Sequence, residues 1–97
     1  MNREKLSPEK VALKLGELHT WVLDEEKKVI SKRFTFENFS DALAFVNKAG
    51  EFAEEIDHHP DIKLGWGYAE FEITTHDRGG LTEFDFALAE MIEKLNN

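Results

Sequence analysis

Three of the chain's four histidines stand where they could share one task. His58 and His59 are adjacent and run into Pro60, and His76 lies sixteen positions beyond that proline, after a stretch with strand-like alternation. Imidazole has an unperturbed pKa of about 6.5, so both protonation states are populated near neutrality. A helix C-terminus favours the cation, and so would the neighbouring carboxylates of Glu54 and Asp57. Two imidazoles beside one substrate can divide proton transfer, one giving and one taking, which is worth roughly 10²–10⁴ in rate. That suits an elimination better than cleavage of a peptide or phosphodiester bond. No Ser or Lys stands out as an activated nucleophile, and cysteine is absent. Histidine chemistry of this kind implies a rate that varies within about pH 5–8.

Other readings compete for the same residues. His58-His59-Pro60 also fits a polar helix end that caps carbonyls. A metal site could combine His58 or His59 with His76 and a carboxylate. Adjacent helical residues diverge by about 100°, however, so both members of the pair would not easily converge on one ion. Asp85 is explained by a capping box with Thr82. Arg78 could clamp an anion or be solvated. His19 reads as a solvated helix-end residue. Trp21 and Trp66 suit core or rim packing, and either could wall a flat heterocycle if it lay beside the histidines.

The elements that must carry these residues follow from periodicity. Ser7-Pro8-Glu9 starts a first helix, with Leu6 able to staple onto Val11. Val11, Leu15 and Leu18 continue at helical spacing to an end near His19. Trp21–Leu23 and Val29–Phe36 read as paired strands about the charged tip Asp24–Lys28, with Lys32 breaking the alternation. Ser40 suits the cap of the longest helix, about Asp41 to Asp57. Its stripe is Ala42, Phe45, Ala49, Phe52 and Ile56, widened by Leu43, Val46 and Ala53. Pro60 ends that helix. A short extended piece at Asp61–Gly65 precedes a strand over Tyr68–Thr75, in which Ala69, Phe71 and Ile73 face a core. Gly79-Gly80 turns into a last helix capped by Thr82, with Phe84, Leu88, Met91 and Leu95 as its buried stripe. The second strand pair would close through the loop about Pro60–Gly67 or be completed by a partner subunit. This order predicts an α+β fold, a two-layer sandwich of about four antiparallel strands with about three helices on one face.

Composition sets the outer bounds. The 97 residues are one domain's worth, residues 1–97, and carry a formal charge of −8. The hydrophobic content of 41%, with eight Phe, argues for a packed globule. A pI near 4.9 without a Lys/Arg cluster disfavours nucleic acid. No apolar run approaches the ~20 residues of a membrane span, and the first residues lack the apolar stretch of a secretory signal. The expectation is a cytoplasmic domain without disulfides or thiolate metal sites.

Taken together, these residues resemble the pterin-4a-carbinolamine dehydratases, also known as dimerisation cofactors of a homeodomain transcription factor. The matching stretch is Glu54, His58-His59-Pro60, Trp66, Thr75-His76-Asp77, Gly79-Gly80-Leu81-Thr82 and Asp85, with spacings that fit without a gap. Gly67 stands where Asn is common in the family, and Ile62 where some members carry Trp. The resemblance implies dehydration of 4a-hydroxytetrahydrobiopterin to quinonoid dihydropterin, which recycles the cofactor of aromatic amino acid hydroxylases. It implies no metal or organic cofactor and a homodimer or homotetramer. By position His58, His59 and His76 become the active-site histidines, His58 and His76 as the acid/base pair and His59 for binding or orientation. Glu54, Asp57, Pro60, Asp85 and Trp21 become the residues about the pterin. The alternatives it leaves are a non-catalytic dimerisation and partner-binding module, or an enzyme acting on another pterin.

Overall fold

The computed structural model describes residues 1–18 and 20–96. Helix α1 spans Pro8–Glu17, strand β1 Val22–Asp24, β2 Val29–Thr35, helix α2 Phe39–Ile56, β3 Asp61–Gly65, β4 Tyr68–Ile73 and helix α3 Glu83–Leu95, with a 3₁₀ turn at His76–Arg78. The four strands form one antiparallel sheet in the order β1-β2-β4-β3. This is the α+β sandwich expected from the sequence, and the second strand pair is a hairpin within the chain.

Strand alternation divides the sheet into a helix face and an open face. Ile30, Phe34, Ala69, Phe71 and Ile73 lie on the first and are buried, while paired Glu72 and Asp61 lie on the second. Phe34, Phe45 and Phe71 meet at centroid distances of 4.9–5.9 Å, and Phe36 reaches Phe45 at 5.0 Å. Ala42, Ala49 and Ala53 give α2 a small-residue buried stripe. Lys32, which interrupts the alternation in sequence, lies on the helix face and forms an ion pair with Glu93 on α3. Its long stem allows an apolar-side position while the ammonium finds a carboxylate.

Several boundaries differ from the sequence expectation. Helix α1 ends at Glu17, and His19 lies outside the described residues. Helix α2 begins at Phe39 because Asn38, not Ser40, is its N-cap, with Oδ1 accepting from the Asp41 amide at 2.8 Å. Asn38→Ala is therefore expected to lower stability by about 1 kcal/mol, measurable by urea denaturation, with Ser40→Ala nearly neutral. Asp57 is not helical: it terminates α2 in the left-handed region, φ 52°. Strand β4 stops at Ile73, and Thr75 instead bridges to Gly80. The buried stripe of α3 is rotated from the one expected: Asp85, Leu88, Ala89 and Ile92 face in, whereas Phe84, Met91 and Leu95 are half-exposed. The N-terminal capping box turns Asp85 inward and sets that rotation. Gly67, at φ 80°, completes the two-residue β3–β4 turn, where a Cβ would come 3.2 Å from the Phe36 carbonyl oxygen.

Candidate functional site

The site is built at the end of the sheet where α2 stops, β4 ends and α3 starts. Its centre is Asp85, fully buried in the first turn of α3. Oδ2 accepts from the Thr82 amide at 2.7 Å and from the Thr75 hydroxyl at 2.7 Å. The Thr82 hydroxyl lies 2.9 Å from that of Thr75 and accepts from the Phe84 amide. Since Thr75 donates to Asp85, Thr82 donates to Thr75, and the whole chain of donors points toward one carboxylate. The helix N-terminus adds a favourable field for that charge.

Oδ1 of the same carboxylate meets His58 Nε2 at 2.6 Å. His58 is 6% exposed, and its other nitrogen, Nδ1, faces the Arg3 guanidinium at 3.3 Å. Both ring nitrogens are thus occupied by protein. His59 points the other way: it is exposed and bonded through Nε2 to Glu54, one turn back on α2. The αL residue Asp57 ends α2, and on the non-helical segment that follows the adjacent histidines point opposite ways, one in and one out.

His76 enters through β4. Thr75 belongs to the Asp85 network, and His76 follows it directly, exposed at the start of the 3₁₀ turn. The last β3–β4 pair is Asp61–Glu72, so the segments that carry His58-His59 and His76 leave the sheet at the same end. His58 and Thr75, the residue before His76, both bond to Asp85, which sets the three histidines at one end of the sheet, His58 buried and His59 and His76 exposed. His76 lines a cavity of about 350 Å³ with Asp61, Glu72, Thr74 and the hairpin tip Glu26–Val29. A larger cavity, about 600 Å³, lies under α1 against Leu23 and Leu81, away from the histidines.

The remaining sequence candidates fall in different places. Pro60 is half-buried between His59 and the first residue of β3. Trp21 is given to the core, packed edge-on against Phe34 with its indole N–H donating to Glu93 at 2.8 Å. Glu93 is eight residues along α3 from Asp85, about 12 Å at the helical rise. Trp66 is 72% exposed at the β3–β4 turn, the far end of that hairpin from the histidines. Among the described residues, no group of three or more His, Asp or Glu is arranged to hold a metal ion, and no helix is long and apolar enough to cross a membrane. Sequence reasoning missed Arg3, whose partners lie 54 and 55 positions away, so no local pattern marks it. It also gave Thr75 no role, although an apolar-face threonine at a strand end is a visible signal of a buried polar partner.

A family model described as pterin 4 alpha carbinolamine dehydratase matches residues 4–95. A Halorhodospira halophila protein named "putative pterin-4-alpha-carbinolamine dehydratase" is 52% identical over 81 residues, covering 84% of this chain and 74% of that one. A Rhizorhabdus wittichii protein of the same name is 42% identical over 95 residues, 98% of each. Among solved structures, a Brucella melitensis "transcriptional coactivator/pterin dehydratase" superposes with a TM-score of 0.92 at 26% identity, covering 97% of this chain and all of that one. A "pterin dehydratase-like protein" described as a RuBisCO assembly factor in the alpha-carboxysome gives 0.69 at 26% identity, over 79% and 89%. With a match that runs over nearly its whole length, the chain belongs to the pterin 4 alpha carbinolamine dehydratase family.

Proposed function

We propose that this chain dehydrates a 4a-hydroxytetrahydropterin to the quinonoid dihydropterin. The observation that supports the reading is the Asp85 network, which joins His58 to Thr75, the residue before His76, and leaves His59 and His76 open to solvent. In the reaction the C4a–O bond breaks as the hydroxyl is protonated and leaves as water. The adjoining ring nitrogen loses its proton as its lone pair forms the C=N bond. One proton is given, one is taken, and solvent resets the two groups. His59 and His76 are proposed for these transfers, because each is exposed and can meet a substrate. This differs from the assignment of His58 to the acid/base pair expected from the sequence. With Nε2 on Asp85 and Nδ1 against Arg3, His58 is better suited to holding the segment that presents His59. Glu54 orients His59 through its bond to Nε2. The cavity beside His76 suits a flat bicyclic ring, and the carboxylates of Asp61 and Glu72 suit the N–H donors of an aminopyrimidinone edge. Asp57 and Pro60 are proposed to border the same opening.

The decisive assay supplies chemically generated 4a-hydroxytetrahydropterin and follows its loss spectroscopically. The expected result is acceleration above background that persists in EDTA. A wild-type protein no faster than background would favour the other reading, a partner-binding module, a role that the RuBisCO assembly factor of this fold makes concrete. Self-association is proposed as well: β1 and β3 are open sheet edges, and Phe39, Leu43 and Ile62 are exposed apolar residues. Sedimentation is expected to give a dimer or tetramer mass.

A further inference from the structure

The residues ahead of α1 form an arm that reaches the site. The Leu6 amide donates to the Leu81 carbonyl at 2.8 Å, which lays the arm beside the start of α3. The Asn2 amide contacts Glu83 Oε2 at 3.4 Å, at the first residue of that helix. Between these anchors Arg3 is half-buried. Its guanidinium lies 4.0 Å from the centroid of Phe84, and Phe84 in turn packs 5.7 Å from the His58 ring. Nη2 donates to the Asp57 carbonyl at 3.0 Å. That carbonyl belongs to the left-handed residue ending α2, one of the groups a helix terminus leaves without an intrahelical partner. Nη1 faces His58 Nδ1 at 3.3 Å.

The chemistry of these groups leaves one arrangement. A guanidinium donates and cannot accept. His58 Nδ1 must therefore accept, so the proton of the neutral ring sits on Nε2. That proton is donated to Asp85 Oδ1, which as a carboxylate oxygen accepts it. Around His58 the charged groups are Arg3 from the arm, Asp57 from the end of α2 and Asp85 from α3, with Thr75 bonded behind Asp85.

We propose that Arg3 is a positioning residue that donates to the free Nδ1 of His58, whose Nε2–H tautomer Asp85 already requires, and ties the ring to the Asp57 turn, thereby fixing the backbone from which His59 is presented. The catalytic consequence rests on the dehydratase reading; the tautomer does not. Two contacts from one planar fork fix a distance and an orientation together, which a lysine cannot reproduce.

The test uses full-length protein with ¹⁵N-labelled histidine at pH 7.5. His58 is expected to show one pyrrole-like nitrogen, Nε2, and one pyridine-like nitrogen, Nδ1. In Arg3→Ala the Nε2 signal is expected to stay pyrrole-like, because Asp85 still accepts from it, while the Nδ1 signal moves downfield as its N–H donor is lost. Turnover is expected to fall roughly tenfold in kcat, as a small misplacement of a proton-transfer group can cost, with KM and melting temperature nearly constant. Arg3→Lys is expected to recover only part of the loss. An Nδ1–H form of His58 in the wild type, or a His58 spectrum identical in Arg3→Ala, would overturn the proposal. So would an unchanged kcat in an active enzyme. If the wild type turns over no pterin, the spectra still decide the tautomer, and that failure belongs to the dehydratase reading alone.

Discussion

Alanine in place of His59 or His76 is expected to lower kcat on 4a-hydroxytetrahydropterin by roughly 10²–10⁴ each, the usual worth of a positioned proton donor or acceptor. Stability should change little. Both side chains are exposed, and exposed substitutions generally stay within about 0.5 kcal/mol. The combination separates a chemical role from a structural one: rate lost, melting temperature kept. His58→Ala is expected to behave differently. It removes a buried ring and leaves one oxygen of Asp85 without its donor, so rate and stability should fall together. Retention of wild-type kcat by both His59→Ala and His76→Ala would remove the proton-transfer roles assigned to them.

The second large effect is on folding. Asp85 is the common acceptor for His58 Nε2, the Thr75 hydroxyl and the Thr82 amide, all inside the protein. Asp85→Ala leaves these donors buried and unpaired, and a destabilisation of about 3–5 kcal/mol is expected. Asp85→Asn is the more informative variant. An amide keeps one acceptor oxygen and substitutes two donors, so it cannot satisfy both His58 Nε2–H and the Thr82 amide. Thr75 can rotate its hydroxyl to compensate; a backbone N–H cannot rotate, and the imidazole is held by Arg3. About 1–3 kcal/mol should be lost. Urea denaturation measures both variants, and an Asp85→Asn protein as stable as the wild type would mean that His58 does not present a donor to residue 85.

Much of this architecture is legible in the chain. Thr82-Glu83-Phe84-Asp85 announces its capping box, and the alternation from Ala69 to Ile73 announces a half-buried strand, because both signals are local. Asp85 shows where local reading stops. Its capping role is visible in sequence and correct, yet the same carboxylate also holds His58 from 27 positions away. The stripe of α3 is legible only in part for a related reason: Leu88 faces in as expected, but a buried aspartate does not register as an inward-facing residue. Lys32 is the parallel case in the sheet, a charge on the buried side that its ion pair with Glu93, 61 positions on, makes intelligible. At the histidines, residue types and spacing single out the three rings as candidates. Adjacency in sequence says nothing of the helix end at Asp57, after which His58 lies inward and His59 outward. Trp21 illustrates the opposite limit, since an indole beside a strand suits the core first and a pocket wall second, and its burial with a bond to Glu93 commits it to the core.

The claim on which the rest depends is that His59 and His76 border one cleft that accepts a pterin. Titration of the ¹⁵N-histidine-labelled protein with a stable 7,8-dihydropterin tests it directly. The ring signals of His59 and His76 should shift together along one saturation curve, while His58 keeps its single-tautomer pattern. Shifts at only one of the two, or at neither while the ligand binds elsewhere, would contradict the account.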